Sequence, residues 1–212
     1  MSDRSTEGKR ISVSDHNDPA WQVHQVVDDF ELIDAWRLPV SGTFEEFNEF
    51  TSLFASLDLA HDGASKATSL LFAVRLKMGE VFGWDDESNT QPIPGCTETS
   101  LRERLPQELR KTAISTDSAE GGENGFRHVY ETANESLFEI SNSTVHAAIH
   151  LAWVAANGEK YVGQMGIYVK NRGRLGRFYM PAIAPFRHHI VYPALMRRLR
   201  REWEQRDLQP TK

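Results

Sequence analysis

The segment TVHAAIHLAWVAANGEKYVGQMGIYVK, residues 144–170, decides the fold class. Its residues alternate in character on both sides of Asn157-Gly158, and a side-chain period of two is typical of β-strands. Asn-Gly between two alternating segments is the strongest short-range signal for a β-hairpin. The segment therefore predicts two antiparallel strands, over residues 144–156 and 160–170.

Two segments upstream show the same period and extend this hairpin. Residues 126–132 and 137–141 are separated from each other and from the hairpin by polar turn residues at 133–135 and 141–143. Together the four segments predict an antiparallel meander. One face of its third strand is apolar and must be covered by other elements. The residues on this face are Val145, Ala147, Ile149, Leu151 and Trp153.

Helical periods occur between the first predicted strand and the meander. Thr43 and Glu46 form a T-x-x-E capping box, in which each side chain satisfies a free backbone N–H group. An apolar stripe at spacings of three and four follows it, and it predicts a helix packed on the core. Its members are Phe44, Phe47, Phe50, Phe54 and Leu57. A second helix is predicted over residues 66–82, and Ser100 with Glu103 repeats the capping-box pattern at the start of a short helix.

The two ends of the chain complete the predicted fold. FELIDAWRL, residues 30–38, predicts a first strand that ends at Pro39. A stripe at helical spacing predicts a long terminal helix that begins between Pro185 and Pro193. The stripe contains Ile190, Val191, Ala194, Leu195, Leu199 and Trp203. This order predicts an α+β helix-grip fold, in which a curved antiparallel sheet is covered by the C-terminal helix and helices are inserted after the first strand.

The remaining composition sets the domain limits and the compartment. Residues 1–20 are polar and predict a disordered tail, followed by one domain over residues 21–206 and a short tail over 207–212. The single cysteine, Cys96, cannot form an internal disulfide. The chain shows neither a secretory signal nor an apolar run of the roughly 20 residues that a membrane helix needs. We therefore expect a cytoplasmic protein without a membrane span.

Positive charge is concentrated near the end of the chain. The net charge is −6, yet residues 170–201 contain nine basic residues and no acidic one, whereas residues 1–169 contain 13 basic and 27 acidic residues. Guanidinium groups hold phosphate or carboxylate in bidentate pairs, which makes four arginines candidates for anion binding. These are Arg172, Arg174, Arg177 and Arg187. The favoured alternative is internal pairing with the acidic majority, and the sequence pI of about 5.8 argues against nucleic-acid binding.

Motifs for common chemistries are missing from the sequence. It contains no GxSxG, P-loop or GxGxxG motif, so neither a cofactor nor a catalytic residue is predicted. His146 and His150 form an HxxxH pattern, but on a strand they would lie about 13 Å apart and could not share one metal ion. His188 and His189 precede the terminal helix, and we expect them to be structural or surface residues.

Several stretches resemble the DUF2867 family of uncharacterised bacterial proteins. The stretches are NRGRLGRFYM at 171–180, PFRH at 185–188, IVYPALMR at 190–197, DAWRLP at 34–39 and SLRERLP at 100–106. The resemblance covers roughly residues 30–205, and the family is similar to the START/Bet v1-like (SRPBCC) helix-grip superfamily. It implies the same helix-grip fold but no reaction and no catalytic residues.

Three classes of function are compatible with these features. The first is the binding of a small apolar or amphipathic ligand in a cavity between the sheet and the terminal helix. The candidate cavity residues are Trp153, Tyr161, Met165, Tyr168 and Tyr192. The second is a cyclase- or aromatase-like enzyme acting on a carbonyl compound, for which His128, Tyr130, Gln164 and Arg187 are candidates. The third is an interaction protein that docks an acidic partner through its basic C-terminal region; the sequence leaves the oligomeric state open.

Overall fold

A computed structural model describes most of the chain. The described residues are 8–18, 20–57, 100–111, 126–141, 145–156, 158–172, 180–181 and 183–206. The predicted helix over residues 66–82 and Cys96 lie outside these ranges. So do Arg174, Arg177 and the tail over 207–212.

Six antiparallel strands form a single sheet. The strands are β1 (Lys9–Arg10), β2 (Glu31–Gly42), β3 (Arg127–Glu131), β4 (Glu135–Ser141), β5 (Val145–Ala155) and β6 (Tyr161–Asn171). Their order across the sheet is β1-β2-β6-β5-β4-β3. The meander predicted from the sequence is confirmed, because β3, β4, β5 and β6 pair consecutively, and β5 pairs with β6 from Val145↔Asn171 to Ala155↔Tyr161.

Short helices and one long terminal helix accompany the sheet. They are α1 (Val13–His16), α2 (Val23–Val26), α3 (Phe47–Ser56), α4 (Gln107–Arg110) and α5 (Tyr192–Arg206). Residues Phe44–Glu46 and Leu101–Arg104 form 3₁₀ turns, and a π-helical turn over Arg187–Val191 leads into α5. Among the described residues, no helix has the length and apolar character needed to cross a bilayer. The molecule is thus an α+β protein with a C-terminal helix.

The aromatic stripe of α3 packs as the sequence predicts. Thr43 and Glu46 form the capping box, and the Thr43 amide donates to Glu46 Oε2 at 2.5 Å. Phe47, Phe50 and Phe54 are buried, whereas Phe44 at the start of the stripe is 40% exposed. With α5, these rings cover the apolar face of the sheet, where Leu195, Leu199 and Trp203 join Ile149, Leu151 and Trp153 in one core.

The opposite face of the sheet is buried as well, which the sequence did not predict. Side chains from α2, from the 101–104 turn and from α4 pack there against β4, β5 and β6. The residues that cover this face are Val23, Val26, Leu101, Leu105 and Leu109, and those of the strands are Leu137, Ala148, Ala152 and Tyr168. The sheet is therefore a central layer whose two faces both form hydrophobic cores.

Pro39 does not end the first long strand. The strand β2 continues to Gly42, and its register with β6 shifts between Arg37 and Ser41, on either side of the proline. Proline lacks a backbone N–H, so a bulge is the position at which a paired strand tolerates it. The sequence prediction of a strand ending at this residue was wrong for that reason.

Part of the predicted disordered tail belongs to the fold. Lys9 and Arg10 pair with Arg37 and Trp36 of β2, and His16 at the end of α1 is 1% exposed. The disorder predicted for residues 1–20 therefore does not hold for residues 8–18, because backbone pairing and a buried histidine anchor a segment of polar composition. A single domain over residues 21–206 stays a prediction.

Candidate functional site

A buried carboxylate joins β2 to both ends of the chain. Asp34 is fully buried. Its Oδ1 lies 2.7 Å from Nε2 of His188 and 3.2 Å from Nη2 of Arg10. Its Oδ2 accepts the hydroxyl of Tyr192 at 3.0 Å and lies 3.2 Å from Nη2 of Arg187. We call these five residues the Asp34 cluster.

The local backbone explains why these side chains converge. The π-helical turn over Arg187–Val191 precedes Pro193, which cannot donate to the carbonyl one helical turn earlier. The widened turn presents Arg187 and His188, and the first residue of α5, Tyr192, to the same carboxylate. Arg10 reaches it from β1, on the neighbouring strand.

The Asp34 cluster carries more positive than negative charge and is partly open. Two guanidinium groups share one carboxylate, and the side chains of Arg10, His188 and Arg187 are 52%, 23% and 15% exposed. Burial, reinforced by the charge of Asp34, raises the pKa of Tyr192, so its hydroxyl stays a donor. The cluster therefore offers excess positive charge to solvent.

A groove on the outer face of α5 lies beside this cluster. It has a volume of about 500 Å³, and we call it the α5 groove. It is lined by Gly8, Pro193, Met196, Arg197, Arg200, Arg201, Glu204 and Gln205. Gly8 and Pro193 are close in the chain to Arg10 and Tyr192 of the Asp34 cluster, so groove and cluster adjoin where β1 meets the start of α5.

The arginines that line the α5 groove differ in their ion pairs from Arg10 and Arg187 of the Asp34 cluster, which both contact Asp34. Arg197, Arg200 and Arg201 are exposed. Arg201 lies 3.2 Å from a carboxylate oxygen of Glu202. Within the part of the chain that the structure describes, Arg197 and Arg200 make no ion pair. Their charge is therefore available to an incoming anion.

A second polar network lies on the other face of the sheet, and it is closed. His150 Nε2 donates to Glu135 Oε2 at 3.0 Å, and His150 Nδ1 lies 3.0 Å from Nε2 of His16. His16 Nδ1 lies 3.0 Å from Gln164 Oε1, and the Tyr130 hydroxyl donates to Glu135 at 3.0 Å. All five residues are buried, so this network has no opening to solvent among the described residues.

The glutamates of this closed face anchor short helices. Glu135 accepts the Gln22 amide at 2.8 Å, just before α2, and Glu139 accepts the Leu101 amide at 2.9 Å, at the start of the 101–104 turn. Glu139 also binds the Ser100 hydroxyl and lies 2.8 Å from His146 Nε2. Carboxylates at helix N-termini satisfy free N–H groups, so these pairs hold the covering helices onto the sheet.

Burial controls the ionisation of the closed network. Burial lowers the pKa of His16 to about 3, with a contribution from neighbouring His150. The pKa of His150 is lowered by burial as well. Burial alone would raise the pKa of Glu135, but hydrogen bonding from His150 brings it below the ordinary value. At neutral pH the network therefore contains neutral imidazoles around one carboxylate.

The predicted cavity residues are divided between the two faces. Trp153, Met165 and Tyr192 are buried on the α5 side with half-buried Tyr161, whereas Tyr168 belongs to the opposite core. Trp153 packs in a group of aromatic rings rather than around a space. Its ring centroid lies 5.6 Å from that of Phe50 and 6.2 Å from that of Trp203.

Of the four arginines predicted to bind an anion, the structure describes Arg172 and Arg187. Arg187 pairs with Asp34, which is the internal pairing that the sequence favoured. Arg172 follows directly after β6. Arg174 and Arg177 lie outside the described residues.

The candidates for catalysis are separated as well. Tyr130 and Gln164 belong to the closed network, and Arg187 belongs to the Asp34 cluster. His128 stacks on Phe138 with ring centroids 4.4 Å apart and lies 2.7 Å from the Ser136 hydroxyl. Burial lowers the pKa of His128 to about 4. The structure does not bring these four residues into one site.

Sequence reasoning missed the carboxylates that organise both regions. A signal for Asp34 existed, since a charged residue inside the apolar strand FELIDAWRL needs a buried partner. Glu135 and Glu139 repeat the four-residue spacing of His146 and His150 on the adjacent strand, which makes diagonal cross-strand pairs possible. Nothing in the sequence pattern identified His16.

The described residues contain no group of three or more His, Cys, Asp or Glu side chains arranged to hold a metal ion.

Comparison with known protein families gives a match over most of the chain. Residues 26–194 match the family model described as "Protein of unknown function (DUF2867)". No curated protein and no solved structure matches the chain. Because the match spans most of the sequence, the chain belongs to the DUF2867 family.

Proposed function

We propose that the protein binds a small amphipathic anion in the α5 groove. The observation that carries this proposal is the combination of an apolar floor with two arginines, Arg197 and Arg200, that make no ion pair among the described residues. Met196 and Pro193 supply apolar surface, and Arg197 and Arg200 supply the charge. A ligand with a carboxylate or phosphate group and a hydrocarbon portion complements both.

The dimensions and charge of the groove support this class of ligand. Its volume of about 500 Å³ lies within the roughly 300–1,000 Å³ range of small-molecule sites. Three arginines and one glutamate line it, so it attracts anions and repels cations. A guanidinium group can also hold a carboxylate or phosphate through two parallel hydrogen bonds.

The position of the proposed site differs from the cavity expected between sheet and helix. In that region the rings of Phe50, Trp153 and Trp203 pack against one another. The indole N–H of Trp203 donates to the Ser41 carbonyl at 3.0 Å, which fixes α5 against β2. The described part of this interface therefore favours the outer face of α5 as the ligand site.

The helix-grip assignment and the cytoplasmic location form part of the proposal. The packing of α5 along its apolar stripe onto an antiparallel sheet supports a helix-grip fold. The single cysteine is compatible with a reducing compartment.

The cyclase-like alternative receives less support, because Tyr130 and Gln164 are hydrogen-bonded within the closed network.

Calorimetric titration with three probes of equal chain length tests the proposed ligand class. We expect dodecanoate to bind more tightly than dodecanol, and dodecyltrimethylammonium to show no binding. Arg197→Gln with Arg200→Gln should weaken dodecanoate binding by about 100-fold or more, since each of the two lost charge-assisted hydrogen bonds contributes about 1.5 kcal/mol or more.

The matched control removes a charge elsewhere. Lys160→Gln changes an exposed cation at the β5–β6 turn and should leave the dissociation constant unchanged. Equal affinity of the double arginine variant and the wild-type protein would refute the site. Preferential binding of poly-glutamate over dodecanoate would instead support the docking of an acidic protein partner.

A further inference from the structure

The segment over residues 8–18, which we call the N-terminal arm, lies along the outer edge of β2. The Gly8 amide donates to the Arg37 carbonyl at 2.9 Å, and the Ile11 amide donates to the Ala35 carbonyl at 3.0 Å. His16 is the only buried side chain of the arm. His16 is therefore the ionisable side chain that the arm buries in the sheet, in addition to its backbone pairing with β2 and the contact of Arg10 with Asp34.

The sheet provides a specific recess for His16. Gly166 of β6 lies under the ring, and a β-carbon at this position would come within 2.3 Å of His16 Nε2 and 2.5 Å of Cδ2. Real atoms do not approach so closely, so only glycine leaves the necessary space. Both ring nitrogens have partners. In neutral His16, Nε2–H donates to His150 Nδ1, and Nδ1 accepts when the Gln164 amide turns its N–H group toward the ring, since two acceptors cannot pair.

Several ionisable groups face this recess from the surrounding elements. They are His150 of β5, Glu135 of β4, Tyr130 of β3, Tyr168 of β6 and His24 of α2. Glu135 is the carboxylate among them, and it already accepts hydrogen bonds from His150, Tyr130 and the Gln22 amide. A proton on His16 would therefore add a buried cation next to two other histidines.

We propose that the N-terminal arm is an acid-released latch, held on the sheet by neutral His16 and released when His16 is protonated. The docked ring resists protonation because burial lowers its pKa to about 3, whereas the free side chain has the ordinary value of 6.5. Docking is therefore fully favourable above pH 6.5 and weakens as the pH falls below that value. His16 alone makes the docking equilibrium about 25-fold weaker at pH 5 than at pH 7.

Release of the arm changes the surface around α5. It uncovers the edge of β2 between Ala35 and Arg37 and withdraws Arg10 from Asp34. It also removes Gly8 from the wall of the α5 groove. The latch does not depend on the proposed ligand, because its contacts lie within the chain itself.

Hydrogen exchange of the full chain tests the latch without any ligand. The protection of peptides from residues 8–18 is measured between pH 7 and pH 5, corrected for intrinsic exchange rates and compared with peptides from β5 and β6. We expect arm protection to fall by about 25-fold while strand protection changes far less. In His16→Gln, which cannot be protonated, the arm should show no such pH dependence.

Two further variants complete the test. Gly166→Ala closes the recess and should abolish arm protection at pH 7 while β5 and β6 stay protected. His189→Gln alters an exposed histidine and should leave the pH profile unchanged. The proposal is overturned if wild-type and His16→Gln arms lose protection equally, if arm and strands lose it together, or if Gly166→Ala retains a protected arm.

Discussion

A carboxylate–histidine pair occurs on each side of the sheet, and the two pairs differ in their exposure to solvent. On the closed side, Glu135 pairs with His150, and these side chains are 3% and 0% exposed. On the α5 side, Asp34 pairs with His188, whose side chain is 23% exposed. A carboxylate–histidine contact occurs in both regions, but only the second can meet solvent or a ligand.

The comparison separates carboxylates that anchor covering helices from a carboxylate whose partners are partly exposed. Glu135 and Glu139 each satisfy the first amides of a covering helix, so their charges are used in holding that layer. Asp34 contacts two arginines that keep part of their exposure to solvent, 52% for Arg10 and 15% for Arg187. Burial and a shifted pKa accompany helix anchoring at Glu135 and Glu139, so these two properties alone do not identify a functional site here.

The largest effect is expected from Glu135→Ala on the closed side. It removes the acceptor of His150, of the Tyr130 hydroxyl and of the Gln22 amide without giving them access to water. A buried donor left without an acceptor typically costs about 1–3 kcal/mol, so losing the acceptor of three donors should lower the free energy of unfolding by about 3 kcal/mol or more. Urea unfolding at pH 7 measures this loss. Glu159→Ala, at an exposed position, serves as the control and should change it by less than about 0.5 kcal/mol.

A smaller loss is expected from Asp34→Asn on the open side. The arginines of the cluster keep part of their hydration, so the expected decrease is about 1.5–3 kcal/mol, the usual range for hydrogen bonds to charged groups. The same urea experiment measures it, with Asp28→Asn at an exposed site as the control. A loss equal to that of Glu135→Ala would break the comparison, because solvent access would then make no difference.

The smallest effect is expected from Arg10→Gln. Its side chain is 52% exposed, and exposed ion pairs contribute about 0–1 kcal/mol. Unfolding at low and at high salt should show that this small contribution is screened. Arg187→Gln should cost more, since that side chain is only 15% exposed. The reverse order would show that the edge of the cluster, and not its interior, holds Asp34.

Local patterns predicted the elements of this fold well. The Asn-Gly turn and the period of two predicted the β5–β6 hairpin, and Thr43 with Glu46 predicted the start of the α3 region. These features depend on residues close in sequence, whose geometry follows from backbone chemistry. The stripe containing Leu195, Leu199 and Trp203 likewise identified the buried face of α5.

Long-range partners could not be predicted in the same way. His146 and His150 indicate a polar face when each residue is considered alone, yet each is buried and hydrogen-bonded to a glutamate of the neighbouring strand. The burial of His16 depends on a gap at Gly166, which lies far away in the sequence. Pairings of this kind become visible only when the register of the strands is known.

The bulge at Pro39 has a consequence for association between molecules. A long strand with free amides and carbonyls at a sheet edge can pair with another chain. The arm covers this edge of β2 between Ala35 and Arg37, and further along the strand Pro39 has no amide to donate. Among the described residues, the arm thus covers the edge at Ala35–Arg37 and the proline interrupts the row of amide donors beyond it, so acid-induced aggregation should begin at Ala35–Arg37 when the arm is released.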